Sequence, residues 1–185
     1  MKTIWTIGHS THPIEEFISI LKEEEIGQVA DVRTVPRSRY VPQYNQDNLR
    51  AALQDEGIAY VHLKELGGLR HSTGPSPNTG WRNPRFRAYA DYMQTVEFDR
   101  GFAHLEELAS SKRTVVMCAE GLPWRCHRLL ISDALMARGW RVEEIMPDGK
   151  RPRAARKPAA AMPRRSVRYD IVPAILSNCA SARAP

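Results

Sequence analysis

The chain has 185 residues, of which 42% are hydrophobic and 26% are charged, and this composition is typical of a folded globular domain. No apolar run approaches the about 18 residues that cross a bilayer, which excludes a spanning helix. The formal net charge of +6 arises at the end of the chain, since residues 150–185 carry nine basic residues and one acidic residue, against 18 basic and 20 acidic residues in 1–149. We therefore predict a single domain over 1–149 and a basic, partly disordered tail over 150–185.

Short apolar runs rich in β-branched residues predict five buried strands. In chain order they cover 3–7, 26–32, 58–63, 114–118 and 142–146. Apolar residues at helical spacing predict helices between them, near 13–21, 45–57, 84–93, 102–108 and 124–138. Ser10 or Thr11 is expected to cap the first helix, and Asn45 the second.

Strands that alternate with helices favour parallel pairing through right-handed crossovers. The predicted fold class is therefore α/β, a three-layer, Rossmann-like sandwich with a mostly parallel sheet of about five strands. The stretch 64–83 departs from this pattern, because it holds four glycines and two prolines and has no clear period. So long an irregular stretch predicts either a functional lid or a disordered segment.

Polar side chains follow each of the first four strands, at the edge where ligands bind in parallel sheets. Among them, the imidazole of His9 has the chemistry of a general acid or base. The side chains expected to meet at this edge are His9, Ser10, Asp31, Arg33, His62, Cys118 and Glu120.

The fourth strand leads through a turn into a predicted helix that carries Arg125, His127 and Arg128. This corner should attract anions, and its positive field would stabilise a thiolate on Cys118 or Cys126. The alternative is that both cysteines are buried structural thiols. The spacing from Cys118 to Arg125 is Cys-x6-Arg, one residue longer than the Cys-x5-Arg loop of thiol phosphatases and related reductases, and this argues against that motif.

Zinc ligand types also occur in these segments, at His9, His62, Cys118, Cys126 and His127. However, Cys-x7-Cys-His is not a familiar short ligand spacing. Cys126 and His127 are adjacent, so they are expected to point in different directions on a helix. The sequence therefore predicts no metal ligands and no cofactor, and a metal-binding protein stays an alternative.

Asp31 and Arg33 share one face of a strand, so they are expected either to pair with each other or to present Arg33 to a ligand. Arg37 and Arg39 follow in the same loop, where Pro36 makes the backbone irregular. Guanidinium groups bind phosphates and carboxylates in a bidentate manner. We expect at least one of these three arginines to bind such a group.

Aromatic residues in the second half of the body offer a surface on which a base could stack. Phe86 and Tyr89 are at helical spacing and are predicted to lie in the core, whereas Trp81, in the irregular stretch, is the favoured ligand contact. Tyr92 and Trp124 are the remaining candidates.

Four motifs occur in order along the body. They are Ile-Gly-His-Ser at 7–10, Asp-Val-Arg at 31–33 with Pro36, Ser38 and Arg39, Tyr-Val-His-Leu-Lys-Glu-Leu-Gly-Gly at 60–68, and Cys-Ala-Glu at 118–120 followed by Pro123 and Cys-His-Arg at 126–128. Together they resemble the domain of unknown function (DUF) 488 family, from about residue 3 to 146. The resemblance implies a small α/β domain with these motifs at its functional edge, and it implies no activity.

These observations predict an anion-binding, enzyme-like site that acts on a phosphate-bearing substrate such as a nucleotide or nucleic acid, since the basic tail favours polyanions. The predicted catalytic residues are His9, Asp31, Cys118 and Glu120. The predicted ligand-binding residues are Ser10, Arg33, Arg39, His62, Cys126, His127 and Arg128. The alternative is a non-catalytic binding module whose tail docks on nucleic acid or a partner. The odd cysteine count and the lack of a signal-like N-terminus predict a cytoplasmic protein without membrane contact.

Overall fold

Five parallel strands form the centre of the fold. The computed structural model describes residues 2–72 and 74–146, so the predicted tail lies outside the described residues. The strands are β1 (Thr3–Gly8), β2 (Gln28–Asp31), β3 (Ala59–His62), β4 (Thr114–Cys118) and β5 (Arg141–Ile145). They lie in the order β3-β2-β4-β1-β5, and all neighbouring pairs are parallel. The predicted parallel sheet of five strands is confirmed.

Helices cover both faces of this sheet. They are α1 (Ile14–Glu23), α2 (Gln46–Asp55), α3 (Pro84–Tyr92), α4 (Val96–Ser111) and α5 (Arg128–Ala137). Successive strand residues point to opposite faces. Trp5 and Val115 therefore pack in a core with α1 and α2, whereas Ile4 and Val116 pack in a second core with α3, α4 and α5. This confirms the three layers. Within the described residues, no helix has the length and apolarity needed to cross a membrane.

The sequence prediction is wrong about the capping of two helices and about the first residue of a third. Pro13 is at the N-cap position of α1, so neither Ser10 nor Thr11 caps that helix. Asn45 precedes α2 as predicted, but its side-chain oxygen accepts a hydrogen bond from Ser38 N at 2.7 Å instead of capping the helix. The last helix begins at 128 and not at 124, because a 3-10 turn over Pro123–Arg125 ends at an extended Cys126.

The carboxyl ends of β2 and β4 form a topological switch point. From β2 the chain crosses one face of the sheet, through α2, to reach β3 at one edge. From β4 it crosses the other face, through α5, to reach β5 at the opposite edge. Loops that diverge in this way leave a crevice between them, where ligands of open α/β sheets bind. The space between the loops that follow these two strands is therefore where a ligand is expected.

The irregular stretch over 64–83 is anchored to α3 in its described parts, 64–72 and 74–83. The hydroxyl of Tyr89 donates to Leu66 O at 2.8 Å, and that of Tyr92 donates to Glu65 O at 2.6 Å. The Arg70 guanidinium lies over the Tyr92 ring, 3.6 Å from its centroid, and donates to Gly67 O. These bonds hold the first half of the stretch against the helix that follows it.

Candidate functional site

The loops after β1 and β4 are joined beyond the sheet. Gly8 pairs with Cys118 in the parallel register, and the ladder continues as His9 N donates to Cys118 O and Ser10 N donates to Ala119 O, at 2.9 and 3.0 Å. A Cβ atom on Gly8 would lie 2.0 Å from Glu120 O. This close backbone approach requires glycine, and it brings the loops that follow two strands into one wall.

A pocket of about 600 Å³ opens at this edge, within the size range of small-molecule sites. Six of the predicted site residues line it, and they are Ser10, Arg33, Cys118, Glu120, Cys126 and His127. The lining also includes Thr34 and Val35 after β2, Gly68 and Leu69 of the irregular stretch, and Arg85, Phe86 and Tyr89 of α3. The pocket therefore lies at the predicted edge, beside the switch point.

A buried network holds Arg33 at the pocket wall. Asp31 is fully buried, and its carboxylate accepts bonds from the Arg33 Nε at 2.9 and 3.0 Å and from the Tyr60 hydroxyl at 2.7 Å. His62 Nε2 donates to Arg33 O at 2.7 Å and fixes the backbone there. The ion pair between Asp31 and Arg33, one of the two sequence alternatives, is thus present. Asp31 and His62 do not line the pocket themselves, but their bonds hold Arg33 in place there.

His9 is a second support of Arg33. Its Nδ1 donates to Ser10 O at 2.9 Å, so its Nε2 is the acceptor for Arg33 Nη1 at 3.3 Å. The ring stacks on Tyr44 with 3.9 Å between centroids. Burial, followed by the charge of Arg33, lowers the pKa of His9 from 6.5 to about 4. A neutral imidazole with both nitrogens bonded orients Arg33, and it is only 1% exposed.

Cys118, Cys126 and His127 form a compact cluster in the pocket lining. Their ligand atoms, one from each residue, all lie within 4.8 Å of one another. The expectation that Cys126 and His127 point in different directions is wrong, because both precede α5 and Cys126 has extended backbone angles of −123° and 147°. As a result, His127 Nδ1 lies 3.6 Å from Cys126 Sγ, while its Nε2 donates to Val32 O at 3.0 Å.

The two thiols of this cluster have opposite pKa shifts. The neighbouring Cys118 thiol, followed by the His127 ring, holds the pKa of Cys126 below its usual range. The same neighbour and burial raise the pKa of Cys118 well above its usual value. Of the two cysteines that the sequence offers as a thiolate, Cys126 is therefore the better candidate.

Two other predicted ligand residues lie outside the pocket lining. Arg128 is buried, and its guanidinium donates to Thr6 Oγ1 at 2.8 Å and to Glu120 O at 2.6 Å, tying the start of α5 to β1 and to the loop after β4. Arg39 is exposed in the loop between β2 and α2. Neither guanidinium lines this pocket, so a direct contact between either of them and a ligand stays a prediction.

The structure adds pocket residues that the sequence prediction missed. Arg85 lies in the first turn of α3, where Asn83 caps the helix by accepting from Arg85 N at 2.9 Å. Phe86 and Tyr89 of the same helix pack with the core as predicted, and both also line the pocket. Trp81, the favoured ligand contact, is instead 8% exposed and packs in the core, outside the pocket lining. The signal that could have located them is the Asn-Pro helix start directly after the irregular stretch.

The fold and the pocket define an α/β protein with a ligand-sized site at the carboxyl edge of a parallel sheet. The family described as Domain of unknown function DUF488 matches residues 13–135, and the chain belongs to this family. Comparison with curated proteins and with solved structures gave no match.

Proposed function

We propose that the protein is an enzyme that binds a phosphate-bearing small molecule of the nucleotide class in the pocket at the carboxyl edge of the sheet. One observation carries this proposal. The described lining contains the arginines Arg33, Arg85 and Arg125 and a single acidic residue, Glu120. The domain over 1–149 has more acidic than basic residues, so the lining is more basic than the domain as a whole. Guanidinium groups match the charge and geometry of phosphate oxygens.

The three arginines have complementary roles. Arg33 is held rigidly by Asp31 and His9, so little conformational entropy is lost when it contacts a ligand. Arg85 and Arg125 are exposed, and their side chains make no hydrogen bond or ion pair with other described residues. Their donors are therefore available to a phosphate that enters from solvent.

The apolar part of the lining suits a planar ring. Phe86 is half-buried on α3 and lines the pocket beside Tyr89. Bases stack on aromatic faces in a sequence-tolerant way, each contact contributing about 1–3 kcal/mol. Guanidinium groups and aromatic rings in one lining together favour a nucleotide over a simple carboxylate.

The reacting end of this substrate would lie against the cysteine wall. Cys118, Cys126 and His127 share that wall, and Glu120 is the carboxylate at its rim. Glu120 is exposed, and its Oε1 accepts only a long bond of 3.4 Å from Leu122 N, so it is available for proton transfer to or from a bound group. The roles of His9 and Asp31, in contrast, are to position Arg33.

Calorimetric titration with nucleoside 5′-monophosphates tests the binding part of this proposal. Arg85→Ala and Arg125→Ala should each weaken binding by about tenfold, the usual value for a lost hydrogen bond to a charged group. Arg100→Ala is the matched control, because Arg100 is also exposed but lies on α4, outside the pocket lining. Equal binding of nucleosides that lack the phosphate, or an equal loss in Arg100→Ala, would contradict the proposal.

A further inference from the structure

We propose that Cys118, Cys126 and His127 form a binding site for Zn²⁺ whose fourth coordination position opens to the pocket. The three donor atoms already lie within 4.8 Å of one another. Zinc binds sulfur at about 2.3 Å and imidazole nitrogen at about 2.0–2.1 Å, so tetrahedral ligand atoms are separated by roughly 3.5–3.8 Å. His127 Nδ1 and Cys126 Sγ, at 3.6 Å, are at this separation without any movement.

The local chain path explains how a spacing without a known motif can form such a site. Cys118 ends β4, the 3-10 turn over Pro123–Arg125 reverses the chain, and Cys126 returns in an extended conformation. The first helical residue of α5 is Arg128. Cys126 is therefore extended and His127 stands just before α5, and the ligand atoms of both come together with that of Cys118.

The surroundings of His127 match those of metal-binding histidines. A histidine ligand usually donates its second ring N–H to a backbone carbonyl or carboxylate, which fixes the tautomer and directs the other nitrogen at the metal. His127 Nε2 donates to Val32 O at 3.0 Å, so Nδ1 is the nitrogen that faces the cysteines. Gly68 lies against the ring, since a Cβ there would be 2.3 Å from Nδ1. The ring is held in a single orientation.

The charge of the cluster also favours a divalent ion. Cys118 and Cys126 are 8% and 4% exposed, and burying two thiolates without compensation would be costly. Two thiolates, one neutral imidazole and one Zn²⁺ have a net charge of zero. In addition, Arg128 N donates toward Cys126 Sγ at 3.5 Å, a bond that supports a thiolate ligand.

The position of the cluster indicates which kind of zinc site it would be. Structural sites have four protein ligands, whereas catalytic sites have three and keep one position for water or substrate. The described residues supply three ligands, and all three line the pocket. The open position would therefore hold an exchangeable water or an oxygen of a bound molecule. This inference does not depend on the nucleotide proposal, because metal binding and nucleotide binding are measured separately.

Titration of the reduced full-length protein with Co²⁺ tests the site directly. Cobalt in a tetrahedral site with thiolate ligands shows intense visible bands and a sulfur-to-metal charge-transfer band. We expect these bands to saturate at one Co²⁺ per chain and to disappear when Zn²⁺ displaces it. Cys118→Ser, Cys126→Ser and His127→Gln should each weaken Co²⁺ binding by more than about tenfold.

Two control variants, one at a cysteine beyond the described residues and one at an exposed histidine of α4, separate this result from general metal binding by thiols and imidazoles. Cys179→Ser and His104→Gln make the same chemical changes and should leave the titration unchanged. Wild-type protein that shows only the weak spectrum of octahedral cobalt would overturn the proposal, even if the cluster variants failed to fold. The proposal would also fail if the charge-transfer band survived in Cys126→Ser or disappeared in Cys179→Ser.

Discussion

Acidification should destabilise the protein through His9 over a defined range of pH. In the folded protein, burial and Arg33 hold the pKa of His9 at about 4, whereas the unfolded chain titrates near 6.5. Between these values the unfolded state binds more protons than the folded state. The free energy of unfolding therefore falls as the pH decreases from 6.5 toward 4, and the His9 contribution is complete above this range.

The size of the effect follows from the two pKa values of His9. Their difference is about 2.5 units, and each unit corresponds to about 1.4 kcal/mol. Between about pH 7.5 and pH 4, His9 should therefore remove about 3 kcal/mol from the free energy of unfolding. This is a large fraction of the roughly 5–15 kcal/mol by which a domain is stable.

Urea unfolding across this pH range, with His9→Gln and His104→Gln beside the wild type, measures this contribution. Glutamine does not titrate, so the stability of His9→Gln should decline with acid by about 3 kcal/mol less than that of the wild type. His104 is exposed on α4, and His104→Gln should follow the wild-type curve. Parallel curves for wild type and His9→Gln would show that the folded protein does not hold a neutral imidazole between Tyr44 and Arg33.

Asp31→Asn should lower the free energy of unfolding by about 3–5 kcal/mol, measured by urea unfolding at pH 7, because Arg33 would keep a buried charge without its partner; a loss below about 1 kcal/mol would contradict the buried network. Gly68→Ala should cost about 1–3 kcal/mol by crowding His127. Gly74→Ala, in the same irregular stretch but in open space, should be nearly neutral in the same assay. Replacing Arg164, Arg165 and Arg168 with Gln should reduce the salt slope of single-stranded DNA binding by about 2 while nucleoside monophosphate affinity stays unchanged; an unaltered slope would exclude these arginines from phosphate contact.

The sequence was sufficient to predict the edge of the sheet at which the pocket opens. Gly8 and Cys118 each end a run of apolar residues, and parallel pairing brings such ends together, as their register shows. The same rule placed Arg33 and Glu120 at the pocket. Period-two alternation also predicted that Asp31 and Arg33 point the same way, and they form an ion pair, although β2 ends at Asp31 and Arg33 lies just beyond it.

The sequence could not show which of these side chains face the pocket. The burial of His9 depends on Tyr44, and the bonding of Asp31 depends on Tyr60, and both tyrosines come from distant segments. The convergence of Cys126 and His127 on Cys118 was not predicted, for a local reason. An apolar pattern that continues through 124–138 does not reveal that the backbone is extended at Cys126. Such a break depends on the hydrogen bonds around it, which no pattern of residue types encodes.

The anchoring of the irregular stretch bears on how a small molecule would reach its site. The tyrosine hydroxyls of α3 bond to Glu65 O and Leu66 O, and the segment that continues from them supplies Gly68 and Leu69 to the pocket lining. Because this part of the lining is tied to a helix, we expect a ligand to enter without a slow hinge step. The observed association rate should then rise in proportion to ligand concentration without a plateau, because diffusion and not a gating motion would limit the encounter.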